Sequence, residues 1–352
     1  MADTSLHERT DLSHPRTGLY NGSETALSFG DSMRELQALI GNCGIFNLNW
    51  RAQFKAAGKD RVRWLHNMVT NSIRDLALNH GNYNFVLNAQ GRILGDLYVY
   101  NRGEYLLLET DRNQIDPLLA AIKRFIIMDK VDLGDAEEAR TALGICGPQT
   151  SGILRACGVD VSGIAPLEAR DVTLGDIPVL LLRGPEQKPD WYELWIDGNE
   201  QQKAWQRLTE AGAQPAGAEA LELWRVLHGI PHYGQDIRDR DLPQETGQTQ
   251  ALHFSKGCYI GQEIVERIRS RGQVHRKFTG FELNAPLGPG KYDVNGRPCA
   301  EITTIARVPA SGGEKLIAMG YVRLAAVSTG TELELNGTKV RVVELPFDSK
   351  VN

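Results

Sequence analysis

The sequence predicts an α+β protein in which helices and strands mix up to about residue 277 and a small antiparallel β-barrel domain follows at 278–346. Three observations carry this expectation. Several segments before residue 277 repeat apolar residues at helical spacing, and others alternate with the period of a half-buried strand. From Phe278 onward only short β-type runs remain, separated by Gly, Pro and Asn turns. A chain of 352 residues has room for two or three domains and a sizeable core.

Residues 1–24 are polar and charged, with neither an apolar stretch nor a small-residue cleavage site, and read as a poorly ordered tail without a secretory signal. Leu27, Met33, Leu36, Leu39 and Ile40 then place a helix between Ala26 and about Ile45, capped at Asp31–Ser32 and ended by Gly41 and Gly44. A second helix opens at Asp60 and turns Val62, Leu65, Met68 and Val69 inward. Asn84–Leu87, Arg92–Tyr100 and Tyr105–Leu108 form a meander, turned at Asn88–Gly91 and Asn101–Gly103. Its middle strand puts Leu94, Asp96, Tyr98 and Tyr100 on one face, so a single carboxylate stands among aromatic and aliphatic side chains.

Pro117–Ile127 reads as a helix with proline in its first turn, and Lys130–Leu133 and Ala142–Cys146 as strands. A helix from Gly147–Pro148 to about Gly158 and more strand at 170–183 follow. In Trp191–Ile196 alternation sets Trp191, Glu193 and Trp195 on one face, a second lone carboxylate between flat rings. Glu200–Ala211 and Ala218–Leu227 are amphipathic helices. Pro231–Thr249 is a polar loop whose composition does not suit a buried core.

Two carboxylates, each flanked by rings on its own strand, suit a heteroaromatic ligand. A pterin presents its 2-amino and N3 hydrogens as a parallel pair that one carboxylate accepts in bidentate fashion, while aromatic faces wall it in. A protein interface or a structural salt bridge uses the same residue types.

Composition narrows the classes. A net charge of −5 excludes global steering toward nucleic acid. No apolar run approaches the roughly 20 residues that span a bilayer, so no membrane partner is expected. Five cysteines without CxxC or Cys/His spacing argue against a disulfide framework and a self-contained zinc site, which leads to reduced thiols and a cytoplasmic protein.

Lys256–Gly257–Cys258–Tyr259–Ile260–Gly261–Gln262–Glu263 sets one thiol after a cation, between two glycines, just before a helix marked by Ile264, Val265 and Ile268. Unpaired amides at a helix start, together with Lys256, lower a thiol pKa from about 8.5 toward about 3.5–7.5. Cys258 is therefore a candidate nucleophile, metal ligand or redox sensor, although a free cysteine also serves as a small core side chain. Arg267, Arg269, Arg271, Arg276 and Lys277, with His275, form a cationic run, either a solvated face or a site for a folate glutamate tail or RNA phosphates.

The eight-residue thiol segment resembles the K-G-C-(F/Y/T)-x-G-Q-E signature of the YgfZ folate-binding proteins, within the wider superfamily of glycine-cleavage T-protein aminomethyltransferases. The likeness runs from about Ala26 to Leu345, through Gly58–Arg61, Val69–Asn71, Gly147–Pro148, Arg225, Gly229–Pro231 and Leu242–Glu245. The resemblance implies a three-lobed fold: two mixed α/β lobes over 25–277, the first discontinuous, and the C-terminal barrel, around a central channel. It implies that the channel binds tetrahydrofolate or a one-carbon derivative. Glu193, following Tyr192, matches a pterin-holding Glu; Asp96, inside Gly91–Leu97, matches the Asp of a G-x-I-x-D-D-L stretch; Arg225 is a further folate contact. Cys258 is the expected functional thiolate, tuned by Lys256.

The function so implied is support for assembly or repair of iron–sulfur clusters in client enzymes, including a radical-SAM tRNA methylthiotransferase, with at most a weak tRNA contact through 267–277. The alternative is a folate-dependent aminomethyltransferase or other one-carbon transferase. Gly95 in place of the first Asp, Pro185–Asp190 in place of Y-T-G-E-D-G and Leu227 in place of a Glu depart from that apparatus, whereas the cysteine motif, which T-proteins lack, is intact.

Overall fold

The structure, a computed structural model, describes residues 15–134, 140–186, 188, 190–272, 274–310, 313–324 and 329–347, with the Arg271 side chain outside that set. The chain opens with a hairpin of β1 (Arg16–Tyr20) and β2 (Ser23–Ser28), turned through Asn21 and Gly22 at positive φ. Residues 16–24 thus belong to a strand pair rather than to a disordered tail. What orders them is distant in sequence: Tyr20 sits edge-on to Trp50 with centroids 4.7 Å apart, and Arg16 pairs with Glu219 at 2.5 Å. No local reading supplies such partners.

α1 (Ser32–Gly41) starts later than the apolar spacing predicts, because Ser23–Ser28 is already strand. Asp31 caps it, accepting from the amides of Met33 and Arg34 at 2.9 and 3.3 Å. β3 (Gly44–Asn47), β4 (Arg51–Ala57) and α2 (Arg61–Met68) follow. Asp60 makes no capping bond to α2 and instead accepts from the Lys130 amide at 2.8 Å.

The meander is β5 (Gly81–Leu87), β6 (Ile93–Asn101) and β7 (Leu106–Asp111). After α3 (Ile115–Lys123) the short β8 (Asp132–Leu133) completes a five-stranded sheet ordered β5-β6-β7-β4-β8. α2 and α3 cover one face of it around Phe54, Leu65, Leu97, Val99 and Leu118. The opposite face carries the polar side chains of the site.

β9 (Arg140–Cys146), α4 (Thr150–Ala156), β10 (Ala169–Leu174), β11 (Ile177–Arg183), β12 (Trp191–Asp197), α5 (Gln201–Glu210) and β13 (Gln214–Pro215) build the second lobe. Its sheet is ordered β10-β11-β12-β9-β3-β13, so β3 joins this lobe while its neighbour β4 belongs to the other. Leu154 of α4 and Leu208 of α5 pack with Leu143, Leu181 and Leu194 into its core. α6 (Ala218–Leu227) runs beneath the hairpin and α1.

α7 (Gln262–Arg271) leads to β14 (Arg276–Leu283), β15 (Gly290–Val294), β16 (Arg297–Ala310), β17 (Gly313–Arg323), β18 (Glu332–Leu335) and β19 (Thr338–Val343). They form an antiparallel sheet ordered β15-β16-β17-β14-β19-β18, nearly closed into a barrel where β15 meets β18. One core cluster joins all three bodies, with Tyr100 and Leu107 from the first sheet, Trp191, Trp195 and Trp224 from the second lobe and α6, and Met319 and Tyr321 from the barrel.

The polar loop after α6 is buried at its centre, contrary to what its composition predicts. Asp236, 0% exposed, accepts from Arg225 at 2.6 Å, Thr303 at 2.5 Å, Thr304 at 2.6 Å and the His232 amide at 3.0 Å. Asp241, also 0% exposed, accepts from Arg276 at 2.6 Å and the Tyr321 hydroxyl at 3.2 Å. Charged side chains tolerate such burial because each finds several donors.

Candidate functional site

A cavity partly open to solvent lies where the hairpin, both sheets, α6 and the loop after it converge. β12 delivers Glu193 into it. The period-two alternation sets Trp191 and Trp195 on either side, and their indole nitrogens donate to its two carboxylate oxygens at 3.1 and 3.2 Å. Glu193 is only 7% exposed, yet each oxygen has spent one lone pair and keeps another for a ligand.

Asp96 enters from β6. The Tyr83 hydroxyl donates to it at 2.5 Å and Gln114 Nε2 at 2.8 Å, while the Asp96 backbone N–H donates to Gln114 Oε1 at 3.1 Å. Burial pushes its carboxyl up, and these two bonds only partly offset that, so it holds a proton more readily than a free carboxylate. The glycine before it has a structural cause. A Cβ on Gly95 would lie 2.6 Å from Leu118 Cδ2 and 2.9 Å from Gln114 Oε1, so a second Asp there would displace the side chain that holds Asp96.

Sequence reasoning missed a second polar group on the same sheet face. Arg51 of β4 donates through Nε to Glu109 at 2.6 Å and through Nη1 to Asp111 at 2.7 Å, and Asp111 accepts from His232 Nε2 at 2.8 Å. The signal was present: Glu109 and Asp111 alternate on β7 as Asp96 and Tyr98 do on β6, and register sets Tyr98 opposite Glu109. Burial raises Glu109, and Arg51 does not fully counter it. Burial works against ionised Asp111 as well, but Arg51 and His232 hold it well below the usual carboxylate range. For His232 burial disfavours the charge, and the Asp111 bond more than compensates, so its pKa rises.

With His232 raised and Asp111 lowered, the pair adds stability that is complete between about pH 4 and about pH 6.5, fades as pH climbs through the folded value of His232, and is lost again as acid protonates Asp111. Asp111→Asn should drop the His232 titration midpoint, followed by NMR of the ring protons, from above about 6.5 to below it. An unmoved midpoint would sink this account.

Two expected site residues are committed elsewhere. Arg225 lines the cavity, but its donors go to Glu222 at 2.8–3.1 Å, Asp236 at 2.6 Å, the Ile230 carbonyl at 2.8 Å and Thr304 at 3.5 Å. No N–H remains for a folate, and Arg225 clasps α6 to the following loop and the barrel. Lys256 donates to the carbonyls of His66, Val69 and Asn71 at 2.6, 2.6 and 2.7 Å. Its three hydrogens are spent on the C-terminal end of α2 and the residues just beyond it, so it anchors the motif and has no donor left for a thiolate.

Cys258 is exposed and does not line the cavity, whereas Cys43, Cys146, Cys157 and Cys299 are buried. The turn into α7 requires the motif glycine: Gly261 has φ +82°, and a Cβ there would meet the Asn88 carbonyl at 2.7 Å. Ellman's reagent should therefore titrate one thiol quickly in the native protein and lose that reaction in Cys258→Ser. Fast reaction of a second thiol would contradict the burial.

The cationic run is largely neutralised. Arg267 pairs with Glu263 at 2.9 Å, Arg269 with Glu266 at 3.4 Å, and Lys277 with Glu344 at 3.4 Å. Arg276 turns inward to Asp241, Glu245 and Glu301 at 2.6, 2.9 and 3.3 Å. Among the described residues no group of three or more His, Cys, Asp or Glu could hold a metal ion, and no helix is long and apolar enough to cross a membrane.

The chain as a whole is similar to proteins of a known family. The family described as the GCVT N-terminal domain matches residues 6–256. An aminomethyltransferase of Symbiobacterium thermophilum is 27% identical over 348 residues, covering 93% of this chain and 92% of its own. One from Synechococcus sp. (strain RCC307) is 28% identical over 357 residues, 99% of each. Among solved structures, the glycine cleavage system aminomethyltransferase T from Bartonella henselae superposes with a TM-score of 0.83 over 95% of this chain and 94% of its own, at 21% identity.

Proposed function

Because this chain belongs to the family of the GCVT N-terminal domain, we propose that its central cavity binds tetrahydrofolate and that the protein is a folate-dependent one-carbon transferase of the aminomethyltransferase type. The observation that carries this reading is Glu193, buried between two indoles with one lone pair left on each oxygen, a site shaped for the paired donors of a pterin edge. Bound tetrahydrofolate would supply the amine that accepts a one-carbon unit. The chain's own residues hold the pterin at Glu193, wall it with Trp191, Trp224 and Tyr98, and present at Asp96 a carboxyl with raised proton affinity, suited to exchange a proton with an amine. The relatives named aminomethyltransferase over nearly their whole length support it.

The test is tetrahydrofolate binding by calorimetry, with turnover of an aminomethyl donor to 5,10-methylenetetrahydrofolate. Absence of binding would end the reading; binding without turnover would end its transferase half.

The exposed thiol favours a second reading. Cys258 stands in an intact K-G-C-Y-I-G-Q-E segment outside the cavity, as expected of a folate-binding factor that supports iron–sulfur clusters in clients such as tRNA methylthiolating enzymes. Activity of a [4Fe–4S] enzyme in cells lacking the native copy, rescued by wild type and not by Cys258→Ser, would support it. Rescue by both would remove the thiol from the function.

A further inference from the structure

Lys188 is a cavity group with no role so far. It lies in the connection between β11 and β12 and lines the cavity beside Glu193. Arg51 and His232 are held by carboxylates and Arg225 by carboxylates and a carbonyl, whereas the Lys188 ammonium has no hydrogen bond or ion pair among the described residues. Its ammonium sits 4.3 Å from the centre of the Trp191 ring, the indole whose N–H donates to Glu193. One side chain therefore positions both the carboxylate and the free cation. Gly184 lets the connection close onto that indole: its amide donates to the Trp191 carbonyl at 2.9 Å, and a Cβ there would meet Trp191 Cδ1 at 2.8 Å.

Along one edge a pterin presents the 2-amino group, N3–H and the 4-oxo oxygen in succession: two donors, then an acceptor. Glu193 accepts the donor pair. The oxygen beyond N3 then needs a donor on the same rim of the cavity, and Lys188 is the cation there with unspent hydrogens.

Resting on the tetrahydrofolate reading, we infer that Lys188 reads the 4-oxo group of a pterin seated on Glu193 and so selects 4-oxo over 4-amino pteridines. Glu193, Arg51, Glu109 and Asp111 are the charged groups whose fields reach it; burial and Arg51 disfavour its charge, and the three carboxylates favour it.

Folic acid, with a 4-oxo group and N3–H, and aminopterin, with a 4-amino group and no hydrogen on N3, are the probes, with tetrahydrofolate as reference. The N3 difference acts at Glu193 in wild type and variant alike, so the change on substituting Lys188 reads the 4-position. Calorimetry on the whole chain should show Lys188→Met weakening folic acid and tetrahydrofolate by about tenfold or more and aminopterin by less than about twofold, with Lys188→Arg recovering part of the loss. Equal weakening of the two probes, or none, would overturn the inference while leaving folate binding intact. Failure of wild type to bind tetrahydrofolate would instead remove the folate reading and this one together.

Discussion

Glu193→Ala should weaken tetrahydrofolate binding by at least about 100-fold, because two charge-assisted hydrogen bonds to the pterin edge, each contributing about 1.5–3 kcal/mol, disappear together. The substitution also orphans two indole N–H groups in the core, which costs about 1–3 kcal/mol each where no water replaces the carboxylate. Glu193→Gln separates the two effects. Its carbonyl still serves one indole, but its amide turns donors toward the other indole and toward the ligand, so binding should fall almost as far while stability recovers in part. Calorimetry and urea unfolding read the two arms. Affinity of either variant within about threefold of wild type, less than 1 kcal/mol, would mean that Glu193 braces tryptophans and does not hold a ligand.

The largest loss of stability is expected for Asp236→Ala, about 3–5 kcal/mol by chemical denaturation. Asp236 answers Arg225, Thr303, Thr304 and the His232 amide at once, so its removal leaves four buried donors without their shared acceptor, although Arg225 keeps Glu222, and loosens α6 from the barrel. Exchanging both partners, Arg225→Met with Asp236→Leu, should not rescue the single change, because Glu222 then loses the guanidinium it shares with Asp236. A single variant that loses under about 1 kcal/mol would show that water reaches the cluster and that the barrel is not locked through it.

Much of the fold was legible in local pattern. The meander, the two aromatic-flanked carboxylates and the β-rich C-terminal region followed from periods of 3.6 and 2 and from turn residues, which are properties of neighbouring side chains. What failed to show was set by partners far away in the chain. Residues 16–24 look like a tail until Trp50 and Glu219 are beside them, and the loop around Asp236 looks solvated until Thr303 and Thr304 arrive from the barrel. Lys256 and Arg225 show the same limit at the site. Their positions in motifs were plain, but whether a cation faces a ligand or a set of backbone carbonyls depends on packing that spacing does not encode. Of the Arg51, Asp111 and His232 group only the alternation of Glu109 and Asp111 on β7 was local, whereas Arg51 and His232 reach it from separate stretches.

The way the cavity wall is assembled also sets when in the life of the chain a ligand can be held. Tyr20 on the first hairpin and Gln248 near the end of the polar loop line the same space. A ribosome adding about 5–20 residues per second therefore needs about 10–45 s between making one wall and the other. Thr303 and Thr304, which secure Asp236, emerge later still. A nascent chain thus cannot capture its small molecule until the barrel has been synthesised, and folate supplied during translation should leave early intermediates unaffected and protect only the released product from proteolysis.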